Sequence, residues 1–275
     1  METCTAVGTV VSEVEEQLRR RHYRNPPVVE AIARFQWSEP VAWSFTTPGL
    51  LFEHLRAEYP DEPKAQALVQ AGMFSPEEGG LPAPAGVSAG FELRAGPQRI
   101  MFGRDDGTRL VAVSPTDLSV HGLQPYEGWE SLRARLVQAL DNAAPVIGRE
   151  SAVSTVGLRY INRVEIPEPT LEFTDYLTIA LGYPPGYPPQ ITGFLDRVEM
   201  QYPDENVKLA FTWASTEAPE GSVAFILDLD LYAQSGAPVG LEHAFAMLDD
   251  LKLKEGHAFE GLLLDRLREQ FGEIE

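Results

Sequence analysis

Asp228 and Asp230 stand two residues apart in "VAFILDLDLY", and Arg159 and Arg163 flank Ile161 in "GLRYINRVEI". Residues of equal parity share one face of an extended strand, so the two carboxylates point together and so do the two guanidinium groups. A third run, "VVEAIARFQW", places Glu30 and Arg34 on one side with Ile32 between them. Paired carboxylates of this kind can help hold a divalent cation, or can face arginines across a groove that takes a small ligand. The plainer outcome is a solvated sheet decorated by cross-strand charge pairs, each contributing about 0.2–1 kcal/mol. Two carboxylates fall short of the roughly six or more oxygens of a calcium site, which favours the plainer outcome. No metal and no cofactor is expected, and Glu30, Arg34, Arg159, Arg163, Asp228 and Asp230 stand as the candidate ligand-binding residues.

Other chemistries have weaker sequence support. Asp228-Leu229-Asp230 carries the letters of the metal-binding step of many sugar-nucleotide transferases, but their parallel alternation and Gly-rich phosphate loop are missing. The five histidines are scattered, without His-x-x-x-His or His-Glu-x-x-His spacing, and there is no Gly-x-Ser-x-Gly elbow. His121 lies in "SVHGLQPY" beside Tyr126, where a turn residue is the favoured reading. Tyr183 and Tyr187 in "GYPPGYPPQ" make a stiff aromatic loop, suited to meeting a protein partner or serving as a plain connector.

Composition narrows the class. The 275 residues are 44% hydrophobic and 23% charged, which is ordinary for a folded soluble chain and argues against disorder. Twenty-two basic against 41 acidic side chains give a net charge of −19, which disfavours nucleic acid and anionic membrane as partners. The single cysteine, Cys4, excludes an intramolecular disulfide. With no apolar run of membrane-spanning length and no signal-peptide order at the start, a cytoplasmic protein is expected.

The elements that must position the charges follow from periodicity. Val10 to Arg21 predicts a short amphipathic helix, with the basic run "RRRHYR" as its solvated end. After Pro26-Pro27, Val28 to Trp37 predicts a strand with Val29, Ala31, Ala33, Phe35 and Trp37 covered and Val28, Glu30, Ile32, Arg34 and Gln36 open. A helix from Thr47, a loop over 74–90, strands at "FELRA", "QRIMFGRD" and "TRLVAVS", and a helix at "PYEGWESLRARLVQALDNAAPVIG" complete residues 1–150. Residues 151–275 repeat that order: a strand from Thr155 to Ile166, a helix at "TLEFTDYLTIALGYP", strands at "GFLDRVEMQY", "VKLAFTWAS" and "SVAFILDLDLY", then a helical segment from Leu241 to Phe271 interrupted at Gly256 and Gly261. Laying Val28–Trp37 over Gly157–Ile166 matches Ile32 with Ile161 and Arg34 with Arg163. The expected fold is α+β: a tandem duplication of a strand-helix-three-strand-helix unit, its antiparallel sheet covered by helices on one face and its halves forming one pseudo-symmetric body.

At "YRNPPVVEAI" and "LRYINRVEIP" the chain resembles a sporadically distributed bacterial and archaeal family of uncharacterised proteins. The matching residues are Tyr23, Asn25, Pro26 and Pro27, then Pro125, Tyr126, Trp129 and Glu130, then Arg159, Tyr160, Asn162 and Arg163. The resemblance spans nearly the whole chain, through "DLDLY" and Phe259-Glu260, and implies no particular activity.

Without a recognisable catalytic or cofactor constellation, the expected function is non-enzymatic: a binding or adaptor protein that uses a charged open sheet face or its loops to hold a protein partner or small ligand. The alternative is a metal-dependent hydrolase or nucleotide-processing enzyme built on Asp228, Asp230, Arg159 and Arg163. Nucleic-acid binding through the sheet rests on fold analogy and runs against the charge.

Overall fold

The computed structural model describes residues 21–66, 69–73, 91–95, 99–104, 106–148, 152–182, 191–203 and 205–274. The expected helix over 10–21 apart from Arg21, the basic run at 19–20, the loop over 74–90, Cys4, Tyr183 and Tyr187 lie outside the described residues. In chain order the elements are β1 (His22–Tyr23), β2 (Val28–Trp37), α1 (Thr47–Leu55), β3 (Lys64–Gln66), β4 (Val69–Met73), β5 (Phe91–Ala95), β6 (Arg99–Gly103), β7 (Arg109–Val113) and β8 (Asp117–Leu123). They continue with α2 (Trp129–Ile147), β9 (Val153–Ile166), a 3-10 turn (Phe173–Asp175), β10 (Leu195–Gln201), β11 (Val207–Thr216), β12 (Val223–Val239), α3 (Leu241–Leu262), α4 (Asp265–Phe271) and β13 (Glu273–Ile274).

Among the described residues, nine strands form one sheet in the order β10-β11-β12-β9-β2-β8-β7-β6-β3. Every neighbouring pair in it is antiparallel. The protein is thus α+β around a large antiparallel sheet. Outward from the β9–β2 pair, one side runs β12, β11, β10 and the other β8, β7, β6, β3. Tight connection of β6 to β7 depends on Gly107, whose φ of 66° is readily adopted only without a side chain.

Apolar periodicity explains how the helices close the core. Pro48 sits in the first turn of α1, and Leu51 and Leu55, one turn apart, are buried. In α2, Leu132, Leu136, Ala139 and Ala143 recur on one stripe and are buried. One core cluster joins Ala33 and Phe35 of β2, Leu136 of α2, Leu229 of β12 and Leu248 of α3, so it draws on both sides of residue 150. Phe245 of α3 meets Phe35 edge-on with ring centres 5.0 Å apart. Arg133 of α2 grips Asp249 of α3 through two hydrogen bonds of 2.8 and 3.0 Å. A second cluster gathers Val164, Ile166, Trp213, Phe225, Leu267 and Phe271. No helix among the described residues is long and apolar enough to cross a membrane.

Several expected elements differ. The helix read over "TLEFTDYLTIALGYP" reduces to the 3-10 turn. The backbone beyond it is engaged elsewhere: Leu177 bridges Leu263, Thr178 N–H donates to Leu262, and Tyr176 accepts from Leu264. "FELRA" pairs with β4 outside the main sheet, and the third strand of that half is β8, which contains the supposed loop at His121. Neither Gly256 nor Gly261 interrupts α3; the break falls at Leu263 and Leu264, both in extended geometry. A bulge between Val28 and Glu30 lets Val28 pair with Asn162, so Val28 joins the covered side in place of Val29. His22 and Tyr23 form a short ladder with β13, His22 opposite Ile274 and Tyr23 opposite Glu273.

Close approach fixes one glycine. A Cβ on Gly122 would lie 2.8 Å from Nη2 of Arg135, a buried side chain whose Nη1 donates to the His121 carbonyl. Gly122→Ala is expected to lower unfolding stability by about 1–3 kcal/mol through overpacking. Gly157→Ala, whose Cβ would meet Arg34 Nε at 3.4 Å, is expected to change it by less than about 1 kcal/mol. Urea titration of both variants checks this.

Candidate binding face

Strand parity and register bring the charged positions together. On β2, Glu30, Ile32 and Arg34 alternate with the buried Ala31, Ala33 and Phe35. Pairing puts Ile161 beside Glu30, Arg159 beside Ile32 and Gly157 beside Arg34 on β9. On the far side of β9, Asp228 lies beside Ile161 and Asp230 beside Arg159. On the far side of β2, His121 lies beside Ile32 and Ser119 beside Arg34. Four neighbouring strands therefore carry one polar field.

Two ion pairs cross that field diagonally. Arg159 donates from Nε and Nη2 to the two carboxylate oxygens of Asp228 at 2.8 and 2.6 Å, the two-pronged geometry that a guanidinium favours. Asp228 is 7% exposed. Across the centre, His121 Nδ1 lies 2.7 Å from Glu30 Oε1 and His121 Nε2 lies 3.1 Å from Ser119 Oγ. A carboxylate only accepts, so Nδ1 carries the hydrogen, and in the neutral ring Nε2 accepts from the Ser119 hydroxyl. The hydrogen bond from His121 holds the Glu30 carboxyl below its ordinary value against the opposing effect of burial, with help from His121 and Arg159 charge.

Serine, histidine and glutamate in that order are the hydrogen-bond chain of a nucleophilic triad. Ser119 is 0% exposed and His121 7%, so the hydroxyl presents no surface to a substrate. The chain orients Glu30.

Arg34 and Asp230 stand apart from these pairs. Among the described residues neither makes a hydrogen bond or a close ion pair, although both are only partly exposed. Arg34 extends over Gly157, close enough that a Cβ there would touch Nε at 3.4 Å and Nη2 at 3.6 Å. Burial pushes the Asp230 carboxyl above its ordinary value; the nearby charges of Arg159 and Arg34 oppose this and Asp228 adds to it.

Five of the six charged residues singled out from sequence thus share the field. Arg163 lies to one side, donating to Glu165 at 2.8 Å and to the Glu217 carbonyl at 3.0 Å. Asn162 is buried on the opposite side, donating to the Leu227 carbonyl at 3.2 Å. Sequence reasoning missed His121 and Ser119 as members of the face. The alternation in "DLSVHGL", with Leu118 and Val120 against Ser119 and His121, is the signal that marks them. No group of three or more His, Cys, Asp or Glu side chains among the described residues is placed to hold a metal ion.

No protein-family model matches the chain, and no curated protein matches it.

Opposite pH signatures follow for the two carboxyls. Glu30 has a lowered value in the folded state, so its contribution is present above the ordinary carboxyl range and lost as pH falls through the folded value. Asp230 has a raised value, so its ionisation weakens the fold as pH rises through the window between the ordinary and folded values. Thermal unfolding from pH 4 to 8 is expected to show Glu30→Gln melting below wild type at pH 7 with the deficit narrowing in acid. Asp230→Asn is expected to melt roughly 2 °C or more above wild type at pH 7, the gain shrinking in acid.

Proposed function

We propose that the protein is a non-catalytic binding protein whose open sheet face, centred on Arg34 and Asp230, holds a polar group of a protein partner or small ligand. The observation that carries this reading is that Arg34 and Asp230, opposite charges on one face, make no hydrogen bond or close ion pair among the described residues while their neighbours are paired. Partial burial disfavours the charged form of Asp230, and a partner that supplies a donor there offsets that cost. A complementary group offers an acceptor to Arg34 and a donor to Asp230, as an amino-acid zwitterion, a carboxamide or a peptide backbone does. The alternative of a metal-dependent hydrolase or nucleotide-processing enzyme has less support, because Arg159 engages both oxygens of Asp228. The net charge of −19 favours partners other than nucleic acid. The single cysteine supports a cytoplasmic location as part of the same proposal.

We also infer that the chain is a tandem duplication of residues 1–150 and 151–275, with the helices on one side of the sheet. Support comes from the strand order: beyond β9 lie β12, β11 and β10, and beyond β2 lie β8, β7 and β6 in the same reversed succession, with β3 added at that edge. Overlaying Val28–Trp37 on Gly157–Ile166 also sets Ala31 on Tyr160, and these two residues are paired in the sheet. The same overlay matches Glu30 with Arg159. Through their pairings with Ile32 and Ile161 it matches His121 with Asp228. The two diagonal contacts are then counterparts with donor and acceptor exchanged.

Differential capture on immobilised protein tests the binding reading. A molecule retained by wild type is expected to be retained at least about tenfold less by Arg34→Ala and by Asp230→Asn, and unchanged by Arg56→Ala at the exposed C-terminal end of α1. Retention indifferent to both face variants, or none by wild type, removes the proposal.

A further inference from the structure

The two edges of the nine-stranded sheet differ. β3 is three residues long and begins with Lys64, which is how natural sheets blunt an edge. β10 has neither device: all seven of its residues are exposed, and it pairs with β11 through seven consecutive residue pairs without a bulge. It contains no proline or lysine. Its outer side has no strand partner among the described residues. It also displays apolar side chains, with Leu195 75%, Val198 44% and Met200 43% exposed.

We propose that the β10 edge pairs with β10 of a second copy of this chain, joining two sheets into one. The inference stands apart from the reading of the Arg34 and Asp230 face. Residue identity selects both the occupant and its register. A two-fold antiparallel pairing sets residues of equal parity opposite one another, so it must be centred on a residue. Centred on Arg197, it places two guanidinium groups face to face; centred on Glu199, two carboxylates. Centred on Val198, it sets Arg197 against Glu199 of the second copy twice over and Val198 against itself. Arg197 and Glu199 already share one side of β10, where they bond at 3.1 Å and have side-chain exposures of 48% and 63%. In the pairing each exchanges its same-strand neighbour for the equivalent group across the interface. The edge is self-complementary in charge in that one register, and the contact covers apolar Val198 as it forms.

Light scattering and sedimentation velocity over a concentration series test this on the full chain. Wild type is expected to show a reversible dimer. Arg197→Glu or Glu199→Arg alone, each reversing two cross-strand pairs, is expected to weaken it about tenfold or more, and the doubly exchanged variant to restore it to within about threefold of wild type. Circular dichroism confirms that each variant is folded. In a Cys4→Ser background, Val198→Cys is expected to form a disulfide-linked dimer on mild oxidation, and Arg197→Cys to do so several-fold more slowly, since only Val198 meets its own copy. A chain that stays monomeric, with the edge covered from within or bare, overturns the proposal. So does a dimer indifferent to single charge reversal, or one that the double exchange fails to restore.

Discussion

Antiparallel pairing between β2 and β9 holds the charged residues in their relative places, because each strand carries its polar positions on one parity. A slip of one residue would carry Glu30 and Arg34 into the core and put Ala31, Ala33 and Phe35 on the polar side. Burial specifies the register against that slip: Ala31, Ala33 and Phe35 are all 0% exposed. Size complementarity adds to it. Small Ala31 lies opposite Tyr160, whose hydroxyl bonds Tyr126 at 2.7 Å and whose ring lies 4.2 Å beneath the Lys252 ammonium. Bulges at both ends of the β2 pairing with β9 confine regular register to the segment that bears the charges.

Above that scaffold, charge satisfaction is uneven. Arg159 bonds Asp228, and His121 bonds Glu30 and Ser119, at the centre of the face. Gly157 leaves room for Arg34 to lie close against the sheet instead of standing out in water. Arg34 and Asp230 are the charged members of the face without a hydrogen bond among the described residues. The same neighbours keep Asp230 partly desolvated, so its geometry and its raised proton affinity have one origin.

Much of this was legible because strands of period two declare which side each residue takes. The parity of Glu30, Arg34, Arg159, Asp228 and Asp230 in "VVEAIARFQW", "GLRYINRV" and "FILDLDLY" was enough to put them on one surface. Register between strands was not legible, and register decides that Arg159 reaches Asp228 while Arg163 turns to Glu165. The bulge that buries Val28 depends on its pairing with Asn162, a distant residue. "FTDYLTIALG" has the apolar spacing of a helix, yet its backbone is committed to Leu262, Leu263 and Leu264 at the end of α3. In each case a contact far along the chain overrode the local pattern.

The short ladder between β1 and β13 has a consequence for chain order. With His22 beside Ile274, and with Arg24 and Asn25 donating to the carbonyls of Gly272 and Phe271, the polypeptide path from residue 22 to residue 274 comes close to a closed loop. The central strands β2 and β9 are held by lateral hydrogen bonds and a common core, not by direct succession. A circular permutant opened between α2 and β9, with residues 274 and 22 linked, would retain every strand pairing of the main sheet, because adjacency in space already stands in for adjacency in sequence.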